Sequence, residues 1–434
     1  MLSVLNYHLA ISYNIYTMTD EQRIVVTGLG AVAPTGYGVA ENWDSVINGR
    51  SGIGPITLFD STDNKVHIAG ECHYDPSPGG FSERDAARYD RSVLHAVNAG
   101  MEAVRDSGID FATRGDNHDV CIIMGSGIGG IDNIQKTCGV MFEKGPGRVT
   151  PFLVPSGTAD VGAHTIAMRY GIHGFTCGVA TACASGNDAI STAFLRLRAG
   201  FEQIAICGGS EAPVCKLSIA TFANMRALSN WDGDGDPTRV SRPFDRNRSG
   251  FVISEGAGVI VLETLAHAKK RGARIYCELG GVGQSTDAYH VTAPEPTGSF
   301  VSLAMRQAIE RAEIDPNTVD YINAHGTSTH HNDVMETNAI KTVFGDHARE
   351  LCVSSTKSMT GHCVAGCGGI EAVFCVKAIE TGIVPPTINY EEPDPECDLD
   401  YVPNKARELK IRAAMSDTFG FGGHNAVLLF KRFE

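Results

Sequence analysis

The chain has 434 residues, 43% hydrophobic and 20% charged, which builds a large folded core and excludes a disordered chain. Its formal net charge of −14 argues against general nucleic-acid binding, and no apolar run reaches the roughly 18 residues of a membrane span. Thirteen cysteines, an odd count without regular spacing and with several in apolar runs (Cys207, Cys277, Cys375), predict free thiols in a reducing compartment. A cytoplasmic location is the expectation, with an organelle left open.

Residues 1–17 hold no Lys or Arg, so they carry neither the positive region of a secretory signal nor the arginines of a transit peptide. Residues 1–21 read as a poorly ordered leader, and a start at Met18 would let residues 23–26 open the first strand. Apolar runs at 24–27, 120–124, 204–207, 259–262, 276–280, 321–323 and 426–430 read as strands alternating with helical stretches. That alternation predicts an α/β fold with a mostly parallel sheet. Gly28 and Gly30, and the glycines of 125–130, look superficially like dinucleotide loops, but neither group has a strand-end acid about 20 residues on. Both are read as tight turns beside the active site, with Ile128, the one bulky residue of its loop, projecting into a cavity.

The chain carries a faint internal repeat. Residues 23–30 resemble 275–283, the strand into 125–130 parallels the strand into 324–327, and 256–262 parallels 422–429. A helix after Cys183 that ends near Gly200 matches one over 368–381 that ends at Gly382. The four matches keep one order, which predicts a duplication with halves at 22–273 and 274–434. Two matching helix N-termini would then meet near the centre, bringing Cys183 close to His325 and His362.

Cys183 lies in Thr181-Ala182-Cys183-Ala184-Ser185-Gly186, on a small-residue turn opening a helix. A helix N-terminus offers unpaired N–H groups and partial positive charge, so a thiol there is expected as thiolate and nucleophile. A buried cysteine acting only as a small hydrophobe is the competing reading. His325, in Ala324-His325-Gly326-Thr327-Ser328-Thr329, sits at a strand end, where catalytic residues collect, and a turn histidine bonded to its own backbone fits equally. Thr327 and Thr329 either bond that turn or hold an amide-bearing substrate arm. Glu371, inside an apolar helix, needs a partner, and Lys357 is the candidate; a structural pair explains the two almost as well as a catalytic one. Cys363 and Cys367 beside His362 match no zinc spacing, so no metal is expected. Phe419 and Phe421 stand among glycines, which suits a gate or a packed turn.

Taken in order, the motifs around Cys183 and His325, Lys357-Ser358-Met359-Thr360-Gly361-His362 and Gly420-Phe421-Gly422-Gly423 resemble the β-ketoacyl-[acyl carrier protein] synthases, from about Arg23 to the C-terminus. Residues 242–245 and 397–403 strengthen the likeness, and Ile128 with 397–403 looks closer to the type II than the type I enzymes. The resemblance implies the thiolase-like fold: two βαβαβαββ halves layered α-β-α-β-α, in a homodimer. It implies that Cys183 carries an acyl chain as a thioester, and that His325 and His362 stabilise the enolate formed as malonyl thioester loses carbon dioxide. Lys357, with Glu371 beside it, would support that cluster. It assigns the oxyanion hole to the backbone N–H groups of Cys183 and Phe421, and the phosphopantetheine arm, brought by the substrate, to Thr327 and Thr329. Ile128, Phe222 and Phe419 would line the acyl site, and Arg226, Arg84 and Arg88 would meet an acidic acyl carrier protein. No cofactor is implied. A polyketide-type or specialised-lipid ketosynthase is the alternative; a coenzyme A-dependent thiolase would want a second cysteine where Phe421 stands. Two departures stand out: His330-His331 after Thr329, where the family usually has Pro, and extra cysteines over 361–369.

Overall fold

The structure, a computed structural model, describes residues 19–434 except Tyr74, Pro76, Pro78, Asn230, Asp232 and the side chain of Asp85. The predicted leader therefore lies, up to residue 18, outside the described residues.

Ten strands of the main sheet form one path: β1 (Ile24–Ala33), β2 (Val120–Gly125), β3 (Thr176–Val179), β4 (Ile204–Glu211), β5 (Gly256–Thr264), β6 (Cys277–Thr286), β7 (Val319–Asn323), β8 (Cys352–Ser354), β9 (Ala413–Gly420) and β10 (His424–Arg432). Their spatial order is β8-β7-β9-β10-β6-β1-β5-β4-β2-β3. Read outward from the central β1–β6 pair, both arms have the same order and the same pairing senses. The centre is antiparallel, with Val25 opposite Glu278, so the sheet is mixed. Only the three outer strands of each arm are parallel. The expectation of a mostly parallel sheet is corrected here. The last strand of each half returns antiparallel: β9 and β10 form a hairpin, which two strands joined by a tight turn must do.

Burial follows the strand sequences. β1, β2, β4 and β5 are buried along their whole length, so they read as continuous apolar runs rather than alternating ones. The helix α1 (Arg91–Ser107) covers β1 and β5 on one face. The glycines at 28 and 30 therefore lie inside β1, not in a turn: a β-carbon at Gly30 would stand 1.9 Å from Ala99 O of α1. On the other face run α2 (Ser185–Arg198) and, from the second half, α5 (Gly366–Thr381); α3 (Ser299–Ala312) and α4 (His330–Phe344) cover the far side. The helix α5 is apolar all round and almost wholly buried, as expected of a helix between two sheet arms. Layers of helix, sheet, helix pair, sheet and helix follow, a thiolase-like arrangement.

The α2 and α5 N-termini touch because glycine lets them. A β-carbon at Gly186 would lie 2.6 Å from Ala365 O. Among the described residues no helix is long and apolar enough to cross a membrane, and all thirteen cysteines are free thiols.

Candidate active site

The turn that carries Cys183 is built locally. Ser185 Oγ accepts from Thr181 N–H (2.9 Å) and donates to Ala182 O (2.6 Å), clamping a short 3-10 turn ahead of α2. Ala182 takes a left-handed φ of 51°, strain that a substrate-facing turn can hold when its surroundings fix it. Asn187 Nδ2 donates to Ser416 O and Ala426 O, tying the first turn of α2 to the hairpin of the second half. Gly420 completes the approach, since a β-carbon there would lie 2.7 Å from Thr181 O. The hairpin tip thereby sets the Phe421 N–H against the Cys183 sulfur.

Cys183, His325 and His362 are all buried and line one cavity of about 250 Å³. The two imidazoles stand edge to face, 5.3 Å between centroids. His325 follows β7 after a single residue, Ala324; Glu336 of α4 accepts from the backbone N–H groups of His325 (2.7 Å) and Gly326 (2.8 Å). His362 has its backbone held on residues 252–254, donating to Val252 O (2.7 Å) and accepting from Ser254 N–H (3.0 Å). Phe251 (5.0 Å from His362) and Phe419 (5.5 Å from His325) fix the ring planes.

Electrostatics corrects one expectation. Burial pushes the Cys183 thiol up to about 12, against the pull of the Phe421 and Cys183 N–H groups and the Lys357 charge. The helix end alone does not make a resting thiolate; desolvation outweighs it. Burial, with Lys357 and His362 nearby, holds His325 well below the usual imidazole range, so it is neutral. Lys357 and Glu371 form a buried ion pair; burial works against the ammonium, and the Glu371 carboxylate outweighs it and holds Lys357 above its ordinary range.

Thr327 and Thr329 line the cavity with their hydroxyls 2.9 Å apart. Phe222, Phe419 and Phe421 line it too, the Phe222 and Phe421 rings 6.4 Å apart, and Arg226 stands exposed at its rim. Ile128 is not among the lining residues. Its loop nevertheless packs on the Cys183 turn, since a β-carbon at Gly127 would lie 3.3 Å from Ala182 O, and the Gly127 and Ile128 N–H groups donate to the buried carboxylate of Glu211. Arg84 is exposed on a short helix (Glu83–Ala86) and Arg88 lies over the Phe152 ring, both outside the cavity lining.

The motifs miss Phe251, Asp287, Asn425 and the 292–294 loop, which also line the cavity, and Glu336 beneath His325. Glu336 carried a signal, an acid on the helix next after a strand-end histidine; the others come from packing between distant segments. Asp417 is also buried, neither carboxylate oxygen has a hydrogen-bond partner, and burial with the Glu336 and Glu371 charges drives it well above the usual carboxylate range.

Comparison with known proteins agrees with this geometry. The family description "Beta-ketoacyl synthase, N-terminal domain" matches residues 21–268, and "Beta-ketoacyl synthase, C-terminal domain" matches 276–391. The chain is 44% identical over 415 residues to a 3-oxoacyl-[acyl-carrier-protein] synthase 2 of Synechocystis sp. (96% of this chain, 99% of that one). It is 44% identical over 417 residues to the synthase 2 of Staphylococcus aureus strain COL (96% and 100%). Among solved structures it resembles a type II polyketide ketosynthase complexed with its acyl-carrier protein (TM-score 0.87, 36% identity, 95% and 100% covered). It also resembles a β-ketoacyl synthase from Burkholderia phymatum STM815 (TM-score 0.87, 32%, 95% and 100%). A buried thiol, two buried imidazoles and a backbone N–H aimed at the sulfur thus sit on a scaffold shared along nearly its whole length, and the chain belongs to the β-ketoacyl synthases, acyl-transferring condensing enzymes of the thiolase-like fold.

Proposed function

We propose that the protein joins an acyl group held on Cys183 to a malonyl unit carried by an acyl carrier protein, lengthening a fatty acyl chain by two carbons. The observation that carries this reading is the convergence of Cys183, His325, His362 and the Phe421 N–H on one cavity. In the first step the Cys183 sulfur attacks the acyl thioester and gives up its proton, and the carrier's phosphopantetheine thiol leaves protonated. The tetrahedral oxyanion sits against the N–H groups of Cys183 and Phe421.

In the second step malonyl thioester enters with its carbonyl oxygen between the two imidazoles. The bond to the carboxylate breaks, carbon dioxide leaves, and the electron pair forms an enolate. No base is needed; donors aimed at the developing oxyanion are, and the two imidazoles supply them. The enolate carbon attacks the Cys183 thioester carbonyl; the tetrahedral oxyanion sits against the same two N–H groups and collapses to the β-ketoacyl product, expelling the Cys183 thiolate, which regains its proton from solvent. Lys357, paired with Glu371, supplies positive charge behind the site without touching substrate.

Thr327 and Thr329 hold the phosphopantetheine arm, and Phe222, Phe419 and Phe421 bound the acyl site. Arg226 at the rim, with Arg84 and Arg88 further out, gives an acidic carrier protein a local positive surface on a chain of net charge −14. No cofactor is required beyond the substrate's own phosphopantetheine. The hexaketide bound in the 36%-identical ketosynthase structure supports polyketide elongation as the second reading. Among the described lining residues Cys183 is the one thiol, which weighs against a two-cysteine thiolase. The edge strand β3, with Phe175, Met168 and Phe201 exposed nearby, supports a homodimer, and the free thiols support a reducing, cytoplasmic setting.

Intact-protein mass spectrometry with acyl-carrier protein tests the proposal. A thioester mapped to Cys183, lost in Cys183→Ala, is expected; condensation undiminished in Cys183→Ala overturns it.

A further inference from the structure

The cysteines beside His362 have no part in the reaction above, yet one of them touches its machinery. Cys367, the second residue of α5, places Sγ 3.2 Å from His362 Nδ1, and the same sulfur accepts the backbone N–H of Cys363 at 3.1 Å. Among the described residues, no other hydrogen-bond partner reaches His362 Nδ1. Cys367 and His362 are both buried.

We infer that Cys367 is a positioning residue for condensation: its S–H donates to His362 Nδ1, so the imidazole proton resides on Nε2 and points into the cavity. This rests on the ketosynthase reading above. The direction of the bond follows from what each atom has left to offer. The sulfur already accepts the Cys363 N–H and its own proton has two acceptors in reach, the Cys363 sulfur and His362 Nδ1, of which the imidazole nitrogen is much the stronger. A neutral imidazole whose Nδ1 accepts carries its proton on Nε2. Only that tautomer donates to the malonyl carbonyl oxygen as the enolate forms; the other would turn a lone pair toward a developing negative charge. Burial drives the Cys367 thiol well above its ordinary range, which keeps the S–H in place.

The arrangement depends on side-chain chemistry as well as size. A methyl group at 367 fits the same space but leaves Nδ1 without a partner, and the proton is then free to sit on either nitrogen. A hydroxyl keeps a donor at nearly the same place. Acylation of Cys183 makes no use of the His362 tautomer and should be indifferent to both changes.

The test compares the full-length enzyme with Cys367→Ala and Cys367→Ser in two separate assays: acyl transfer from acyl-carrier protein to Cys183, followed by mass spectrometry, and carbon dioxide release from malonyl-carrier protein. In Cys367→Ala, kcat for carbon dioxide release should fall about ten- to hundredfold with KM little changed, the usual cost of losing a partner that orients a functional histidine. Acylation should stay within about twofold of the parent, and Cys367→Ser should recover most of the loss. Carbon dioxide release within about twofold of the parent in Cys367→Ala overturns the inference. So does a serine variant as slow as the alanine one, or an equal fall in acylation, either of which reduces Cys367 to packing. A parent enzyme that neither acylates Cys183 nor decarboxylates malonyl-carrier protein overturns the ketosynthase reading, and this inference with it.

Discussion

At the residue scale the site sets burial against charge. Cys183 rests as a thiol because desolvation outweighs the helix end and the two N–H groups, so its reactivity should follow the thiolate fraction. Alkylation by iodoacetamide should speed up about tenfold per pH unit between pH 7 and 9; a flat rate would show a preformed thiolate instead. His325 behaves oppositely. Its folded-state pKa lies well below 6.5, so lowering the pH from 8 to 6.5 leaves it neutral and able to donate. Any loss of malonyl decarboxylation over that range must come from another group, and a profile in which His325→Gln abolishes such an acid limb would contradict this. In the proposed reaction each histidine is one donor to the enolate oxygen, so His325→Ala or His362→Ala should slow carbon dioxide release about 10²- to 10³-fold while Cys183 still acylates. Cys183, His325 and His362 could be picked out from their motifs, because a strand end and a small-residue turn leave local marks. Phe251 could not: it reaches His362 only because a distant segment is bridged to the chain beside it.

At the element scale two helices do most of the positioning. The α2 and α5 N-termini meet at glycines, and Gly186→Ala must push Ala365 away, three residues from His362. A cost of about 1–3 kcal/mol in unfolding free energy is expected, with decarboxylation falling further than that loss alone explains. The helix α5 also carries Glu371, and the short helix before it (Lys357–Thr360) carries the paired Lys357. Removing one partner leaves a buried, uncompensated charge, so Glu371→Ala should cost about 3–5 kcal/mol by denaturant unfolding. The double change Lys357→Met with Glu371→Leu should recover much of that stability without recovering condensation. Recovery of both would make the pair purely structural. The pairing could be read from an acid in an apolar helix, which demands a cation. The strand reading of 24–27 stopped short of Gly28 for a physical reason: in β1 glycine serves the approach of α1 and not a turn, and single-chain periodicity carries no term for a helix packed from above.

At the scale of the whole molecule, two arms of equal strand order face each other across the β1–β6 pair, and the active site lies where the helices between them begin. The outer end of the first arm is β3, four residues with one open edge, Thr176 exposed and the other three half-buried. A sedimenting mass of twice 46.2 kDa is expected, and Thr176→Lys, which adds charge to that edge, should shift the population toward single chains while the fold is kept. A parent protein that sediments as one chain at micromolar concentration would remove the homodimer from the reading. The amino-acid sequence by itself determined the α/β character, that Cys183, His325 and His362 come together, and the need for a Lys357–Glu371 pair, because each is written in residue type and local spacing. Tertiary structure alone decided that the centre of the sheet is antiparallel, that Phe251 lines the cavity while Ile128 does not, that burial raises the Cys183 thiol and that Cys367 stands beside His362 Nδ1. Those depend on which surfaces exclude water and which distant atoms come within 3–4 Å, and desolvation and contact are properties of the packed molecule, not of any stretch of chain.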